Sequence, residues 1–123
     1  MSAPSSLQSP DVPAAALVLQ SGCPSRTVLD HVTSKWGVLL LVALAQGPQR
    51  WSELRRSAEG ISEKMLAQTL KTLERDGLVH RDAQPVIPPR VDYSLTGRGE
   101  ELVALLRPLV DWIGVHAEDI VNG

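Results

Sequence analysis

The sequence predicts a mainly helical chain carrying one small antiparallel β-hairpin, an α+β arrangement with the hairpin between the fourth and the last of five helices. Three observations predict it. Apolar residues recur at steps of three and four over residues 61–77 and again over 96–121, which is the spacing of one helix face. The period drops to two on either side of the proline-rich stretch 83–90, which is the spacing of paired strands. Gly47-Pro48, Gly60 and Gly77 divide the helical stretches from one another. A chain of 123 residues suits one such domain with a modest core.

Residues 1–22 hold Pro4, Pro10 and Pro13 among serines and alanines, the composition of a poorly ordered tail, so the folded domain is expected over 23–123. The run Val12 to Leu19 followed by Gln20-Ser21-Gly22-Cys23 resembles the end of a lipoprotein export signal. Such a signal begins with positive charge, whereas here Asp11 is acidic and the first basic residue, Arg26, follows the cysteine. Gln20 also stands where the motif wants an aliphatic side chain, and no segment reaches the ~20 apolar residues of a membrane span. A cytoplasmic, nucleoid-associated protein is the expectation, with no membrane partner.

Pro24 or Ser25 opens a first helix towards Ser34, with Val28, Leu29 and Val32 inward. Trp36 to Ala45 is apolar on every side, which marks a short buried helix at the centre of the scaffold. Trp51-Ser52-Glu53-Leu54 begins a brief helix that ends near Gly60. Ser62 then caps a longer one, and Gly77 stands where a helix closes in the left-handed conformation. Leu66, Leu70 and Leu73 give this helix its apolar face, and Lys64, Gln68, Lys71, Thr72 and Arg75 gather opposite. Lysine and arginine meet phosphates or guanine, and glutamine pairs with adenine, so this face suits DNA. The plainer reading of such a face is solvation. Its neighbours decide the matter: two helices across a short glycine-containing turn, the second exposing long polar side chains, form a helix-turn-helix.

Leu78 to Asp82 and Val91 to Leu95 alternate as two strands, with Pro85, Pro88 and Pro89 in a stiff tip between them. Arg81 and Arg90, at the two feet of the tip, are placed to meet phosphates beside the groove that the helix enters. Thr96 caps the last helix, which runs to about Val121. Its stripe of Leu102, Leu106, Leu109, Ile113, His116 and Ile120, broadened by Trp112, exceeds what one small core needs from a terminal helix, and the surplus points to a dimer arm. Pro108 lies inside this helix and predicts a bend there.

The formal charge of −2 does not describe a globally basic nucleic-acid binder, but it is unevenly spread. Residues 50–90 carry eight basic and six acidic side chains, while 91–123 carry two and six, so the positive segment is the one with the DNA-facing helix. A single cysteine excludes an internal disulfide, and His31, His80 and His116 lack the spacing of metal ligands. No metal or cofactor is expected. Nor is an enzyme, because no paired carboxylates, no nucleophile with an adjacent base and no phosphate-cradling glycine loop appears.

From Cys23 to about Trp112 the chain resembles the HxlR-type winged helix-turn-helix regulators of bacteria and archaea. Cys23-Pro24, a buried Lys35-Trp36, Arg50-Trp51-Ser52-Glu53-Leu54, Gly60-Ile61-Ser62, Met65-Leu66, Leu70, Leu73-Glu74 and Gly77-Leu78-Val79 follow its pattern in order. Pro88-Pro89-Arg90-Val91, Tyr93, Leu95-Thr96, Pro108 and Trp112 continue it. Trp51 replaces the usual Phe, and Gly97-Arg98-Gly99 puts two glycines in the first turn of the last helix, where fraying is expected.

The resemblance implies a homodimeric transcription factor bound to double-stranded operator DNA at an inverted repeat, paired through the first and last helices. Val28, Leu102, Leu106, Leu109, Trp112, Ile113 and His116 are the candidates for the dimer interface. Ser62, Glu63, Lys64, Ala67, Gln68 and Lys71 are the candidates for bases or nearby phosphates, and Arg50, Arg55, Arg75, Arg81 and Arg90 for the backbone. In several members of the family the matching cysteine senses oxidants or electrophiles. Cys23, at the positive end of the first helix, is the candidate sensor here, through a bridge to the partner subunit's Cys23, a mixed disulfide with a small thiol, or a sulfenic acid. The alternatives are a regulator answering a small-molecule inducer in a pocket under Trp36, Trp51 or Trp112, with no thiol switch, and a winged helix used for protein interaction.

Overall fold

The computed structural model describes residues 19–20 and 22–123, so most of the expected tail lies outside the described residues. The chain divides into two compact units, Met1–Ser34 and Lys35–Gly123, a boundary inside the stretch read above as one domain. In the first unit, α1 (Pro24–Thr33) starts from Cys23 in extended conformation with Pro24 in its first turn, where the missing N–H costs nothing. The Ser34 hydroxyl donates to the His31 carbonyl (3.0 Å), one of the groups left open where the helix ends, and the Thr33 hydroxyl folds back onto the Leu29 carbonyl (2.6 Å). Of the three residues expected inward, Val32 is buried whereas Val28 and Leu29 are 46% and 38% exposed.

The second unit is built on α2 (Lys35–Leu44), which buries Gly37, Leu40, Leu41 and Leu44. It touches α3 (Trp51–Ser57), α4 (Glu63–Arg75), β3 (Arg90–Leu95) and α5 (Gly97–Asn122), so its all-round apolar character reflects neighbours on several sides. Its burial is incomplete, with Leu39 42% exposed. Lys35-Trp36 is not a buried pair: Lys35 is exposed, Trp36 is half-buried, and the ammonium lies 4.3 Å from the indole centroid as a surface cation–π contact.

The sheet has three antiparallel strands in the order β1-β3-β2, not the two of the expected hairpin. The added β1 is Gln49–Arg50, too short to show alternation and strand-like only because it pairs with β3, Gln49 opposite Tyr93 and Arg50 opposite Asp92. β2 (Val79–Gln84) pairs with β3 from Val79↔Leu95 to Gln84↔Arg90, leaving residues 85–89 as the tip.

α4 ends on Gly77 at φ +74°, where the Gly77 and Leu78 amides bond the Glu74 and Leu73 carbonyls at 3.0 Å each. This closure takes the last helical carbonyls and turns the chain into β2. The same turn receives α5: the Thr96 amide donates to the Leu78 carbonyl (3.0 Å), its hydroxyl donates to Gly77 O (2.6 Å), and that hydroxyl oxygen accepts the Gly99 amide (3.0 Å). Gly99 therefore does more than loosen a first turn. It is buried, and a Cβ added there would collide with the Leu78 carbonyl, so only glycine permits this approach. α5 then runs to Asn122 as one helix through Pro108, which has no N–H for the Ala104 carbonyl. Among the described residues no single helix is long and apolar enough to cross a membrane.

Gly99→Ala should therefore lower stability by about 1–3 kcal/mol through overpacking. Gly97→Ala, with nothing within 4 Å of the added carbon, should leave stability unchanged or slightly raised. Urea unfolding of the two variants checks this, and equal behaviour would refute the packing role of Gly99.

Candidate nucleic-acid interface

The helix-turn-helix comprises α3, a turn through Gly60 at φ +94°, and α4. α3 starts where the Glu53 carboxylate accepts the Arg50 amide at 2.8 Å. α4 starts where the Ser62 hydroxyl accepts the Met65 amide at 3.1 Å, so the predicted cap is present. Leu66, Leu70 and Leu73 are buried as expected, joined by Thr69. Ser62, Glu63, Lys64, Ala67, Gln68, Lys71 and Arg75 are exposed. Lys64, Gln68, Lys71 and Arg75 step by four, three and four and form one outward row. Thr72 departs from that row: it is half-buried, and its hydroxyl donates to the Gln68 carbonyl at 3.1 Å.

The arginines expected at the DNA backbone do not form one set. Cross-strand partners share a face of the sheet, and successive residues of a strand alternate. Arg81 stands opposite Tyr93, on the face that buries Val79 and Tyr93. Arg90 stands opposite Gln84, and Arg50 opposite Asp92, on the other face. The two feet of the tip thus point to opposite sides, because nine residues separate them and an odd separation across this register inverts the face. Arg90 is also engaged, with Nε 3.1 Å from Asp92 Oδ1, and Asp82 lies directly across from Asp92. Arg55 lies 3.6 Å from Glu63 across the turn, with both groups largely in solvent, a pair worth at most ~1 kcal/mol.

Arg81, by contrast, faces α4. It lines a groove of about 350 Å³ with Trp51, Ala67, Leu70, Lys71, Glu74 and Tyr93, so α4, the start of α3 and the inner face of the sheet meet there. Sequence reasoning misses Glu74 and Tyr93 as groove residues, whereas Trp51 is one of the three tryptophans expected over a ligand pocket. The alternation of β3 places Tyr93 on the inner face, but that Arg81 shares its row follows only from the pairing register.

On α5, the interface candidates separate in the same way. Leu106 is 7% exposed and Val103 5%, so Leu106 belongs to the core of its own unit. Leu102 is half-buried, and Leu109, Trp112 and Ile113 are 52%, 53% and 48% exposed. His116 stacks on Trp112 with ring centroids 4.3 Å apart and bonds its carbonyl through Nδ1 at 2.8 Å. Cys23 is half-buried at the cap position of α1, is in no disulfide, and makes no side-chain capping bond.

A helix capped at both ends, presenting a lysine-glutamine-lysine-arginine row beside a three-stranded wing, defines a helix-turn-helix regulator of transcription whose partner is DNA. The HxlR-like helix-turn-helix family matches residues 31–120, and the chain belongs to that family. It is 54% identical over 99 residues to the HTH-type transcriptional regulator YtfH of Escherichia coli (strain K12), covering 80% of this chain and 79% of that one. The structure of ytfH from Salmonella typhimurium superposes with a TM-score of 0.81 at 50% identity, over 85% of this chain and 94% of that one. The redox regulator HypR in its oxidised form superposes with a TM-score of 0.70 at 35% identity, over 76% and 96%.

Proposed function

We propose that this regulator acts in the cytoplasm, at the nucleoid, as a homodimer that reads an inverted repeat and responds to oxidants or electrophiles through Cys23. The observation that carries the DNA reading is the exposed row Lys64, Gln68, Lys71 and Arg75 on a doubly capped helix, with Arg81 facing it across the groove. Ser62, Glu63, Lys64, Ala67, Gln68 and Lys71 lie near the end of α4 that enters the major groove, where Gln68 reads an adenine and the lysines take guanine or phosphate. Arg75 and Arg81 hold the backbone directly. Arg55 and Arg90 reach it after exchanging a carboxylate for a phosphate, and Arg50 from the outer face of the sheet.

Dimerisation is supported by the apolar side chains that α5 leaves in solvent, Leu105, Leu109, Trp112, Ile113 and Val115 among them, and by Val28 on α1. Two copies paired through these surfaces would set their reading helices ~34 Å apart, one turn of duplex. The thiol switch is supported by the place of Cys23 at the start of α1, among the helices proposed to pair, and by the family likeness to a protein named as a redox regulator. The chain has one cysteine, so oxidation yields a disulfide to Cys23 of the partner subunit, a mixed disulfide with a small thiol, or a sulfenic acid.

Three outcomes follow. In gel shifts on the DNA upstream of its own gene, Gln68→Ala should lose about 1–3 kcal/mol of discrimination at one or two base pairs, whereas Arg81→Ala should weaken every sequence alike and reduce the salt slope by about one. Uniform weakening by both would end this division of roles. In sedimentation velocity, Ile113→Glu should shift the protein from dimer to monomer, and a monomeric wild type would overturn the proposed pairing. Diamide should change DNA binding of the wild type but not of Cys23→Ser, and identical binding in both oxidation states would exclude the thiol as the signal receiver.

A further inference from the structure

The groove between α4 and the wing has chemistry that base and phosphate reading do not require. Trp51, Ala67, Leu70 and Tyr93 line it beside the charged groups, so part of its surface is apolar and suits a flat body. Its polar groups are mostly donors. Lys71 and Arg81 are in no ion pair among the described residues, even with Glu74 in the same groove. Tyr93 is 7% exposed, and no buried side-chain oxygen or nitrogen among the described residues lacks a hydrogen-bond partner. Its hydroxyl, which makes no hydrogen bond among the described residues, is therefore the part left open to the groove. About 350 Å³ lies within the range of small-molecule pockets, ~300–1,000 Å³.

We propose that this groove binds a small aromatic carboxylate, and that the bound molecule excludes the DNA backbone from Lys71 and Arg81. The guanidinium of Arg81 takes the carboxylate in a two-point pair, with Lys71 as the second cation. The ring lies against Trp51, Leu70 and Ala67, covering apolar surface that a bare inorganic anion would leave wet. Glu74 sets the selectivity. With two cations and one carboxylate, the lining carries a single net positive charge, so it neutralises a bound monoanion and leaves one charge of a phosphate dianion uncompensated. Glu74 also offers an acceptor to a hydroxyl or amino group on the far side of the ring. Lys71 belongs both to the outward row of α4 and to this groove, so ligand and duplex compete for one side chain. That competition makes the ligand an inducer that releases DNA, a consequence that rests on the DNA-facing role proposed above.

The test separates the two readings by measuring ligand binding without DNA. Benzoate is titrated into the full-length protein by calorimetry, with benzamide as the uncharged analogue and inorganic phosphate as the ringless anion, on wild type and on Arg81→Gln. Both proteins are checked for an unchanged melting transition. Benzoate should bind the wild type at least ~10-fold more tightly than either analogue, a difference of about 1.4 kcal/mol, and Arg81→Gln should remove that margin. Benzoate should then displace upstream DNA from the wild type at the concentrations that saturate the DNA-free protein. Phosphate binding as well as benzoate would show a seat for DNA phosphate only and overturn the inference, as would benzoate binding untouched by Arg81→Gln. If benzoate binds as expected and no DNA is bound under any condition, the ligand site stands and the DNA interface proposed above falls.

Discussion

The structure depends on one junction, where the turn Gly77-Leu78 meets Thr96 and Gly99. Four elements pass through it: α4 ends there, β2 starts, β3 ends and α5 starts. Thr96 donates its amide to the Leu78 carbonyl and its hydroxyl to the Gly77 carbonyl, while its oxygen caps Gly99. One residue thus satisfies open groups at two helix ends and fixes the spacing between them. The positive φ of Gly77 and the missing Cβ of Gly99 are what let the backbones come this close. Because the register from Val79↔Leu95 outward is set beside this contact, it also decides which face of the wing turns towards α4.

That choice of face governs the electrostatics of the interface. The inner face brings Arg81 into the groove that Lys71, Tyr93 and Trp51 also line. The outer face collects Arg50, Asp82, Asp92 and Arg90, a nearly balanced set in which Arg90 is already paired. A chain of net charge −2 can therefore present positive charge to a duplex without being basic overall. Carboxylates sit among the other arginines and at the far end of the chain, where they limit non-specific attraction to nucleic acid.

The last helix divides its apolar stripe between two tasks. Val103 and Leu106 close the core of their own unit, while Leu109, Trp112 and Ile113, beyond Pro108, stay open to solvent. The division follows length. A helix of 26 residues outruns a unit whose core is built around a ten-residue α2, so its second half reaches past the residues of its own unit that could cover it.

What the sequence by itself determined is what depends on near neighbours along the chain. The cap at Ser62, the closure at Gly77, the inward Leu66, Leu70 and Leu73, the outward Lys64, Gln68, Lys71 and Arg75, and the two longer strands are all local consequences of hydrogen-bonding groups and apolar spacing within a few residues. The order of motifs was enough to point to the family. Tertiary structure decided everything that depends on a partner far along the chain. β1 exists because β3 offers it a ladder, and two residues carry no period of their own. Arg81 and Arg90 part company because pairing register, which alternation alone does not fix, assigns them to opposite faces. Leu106 is core and Leu109 is not, though both lie on one stripe, because burial depends on how far the neighbouring helices reach. Gly99 reads as a helix weakener in sequence and is a contact point in the fold, since the atom it must avoid, the carbonyl of Leu78, is twenty-one residues away.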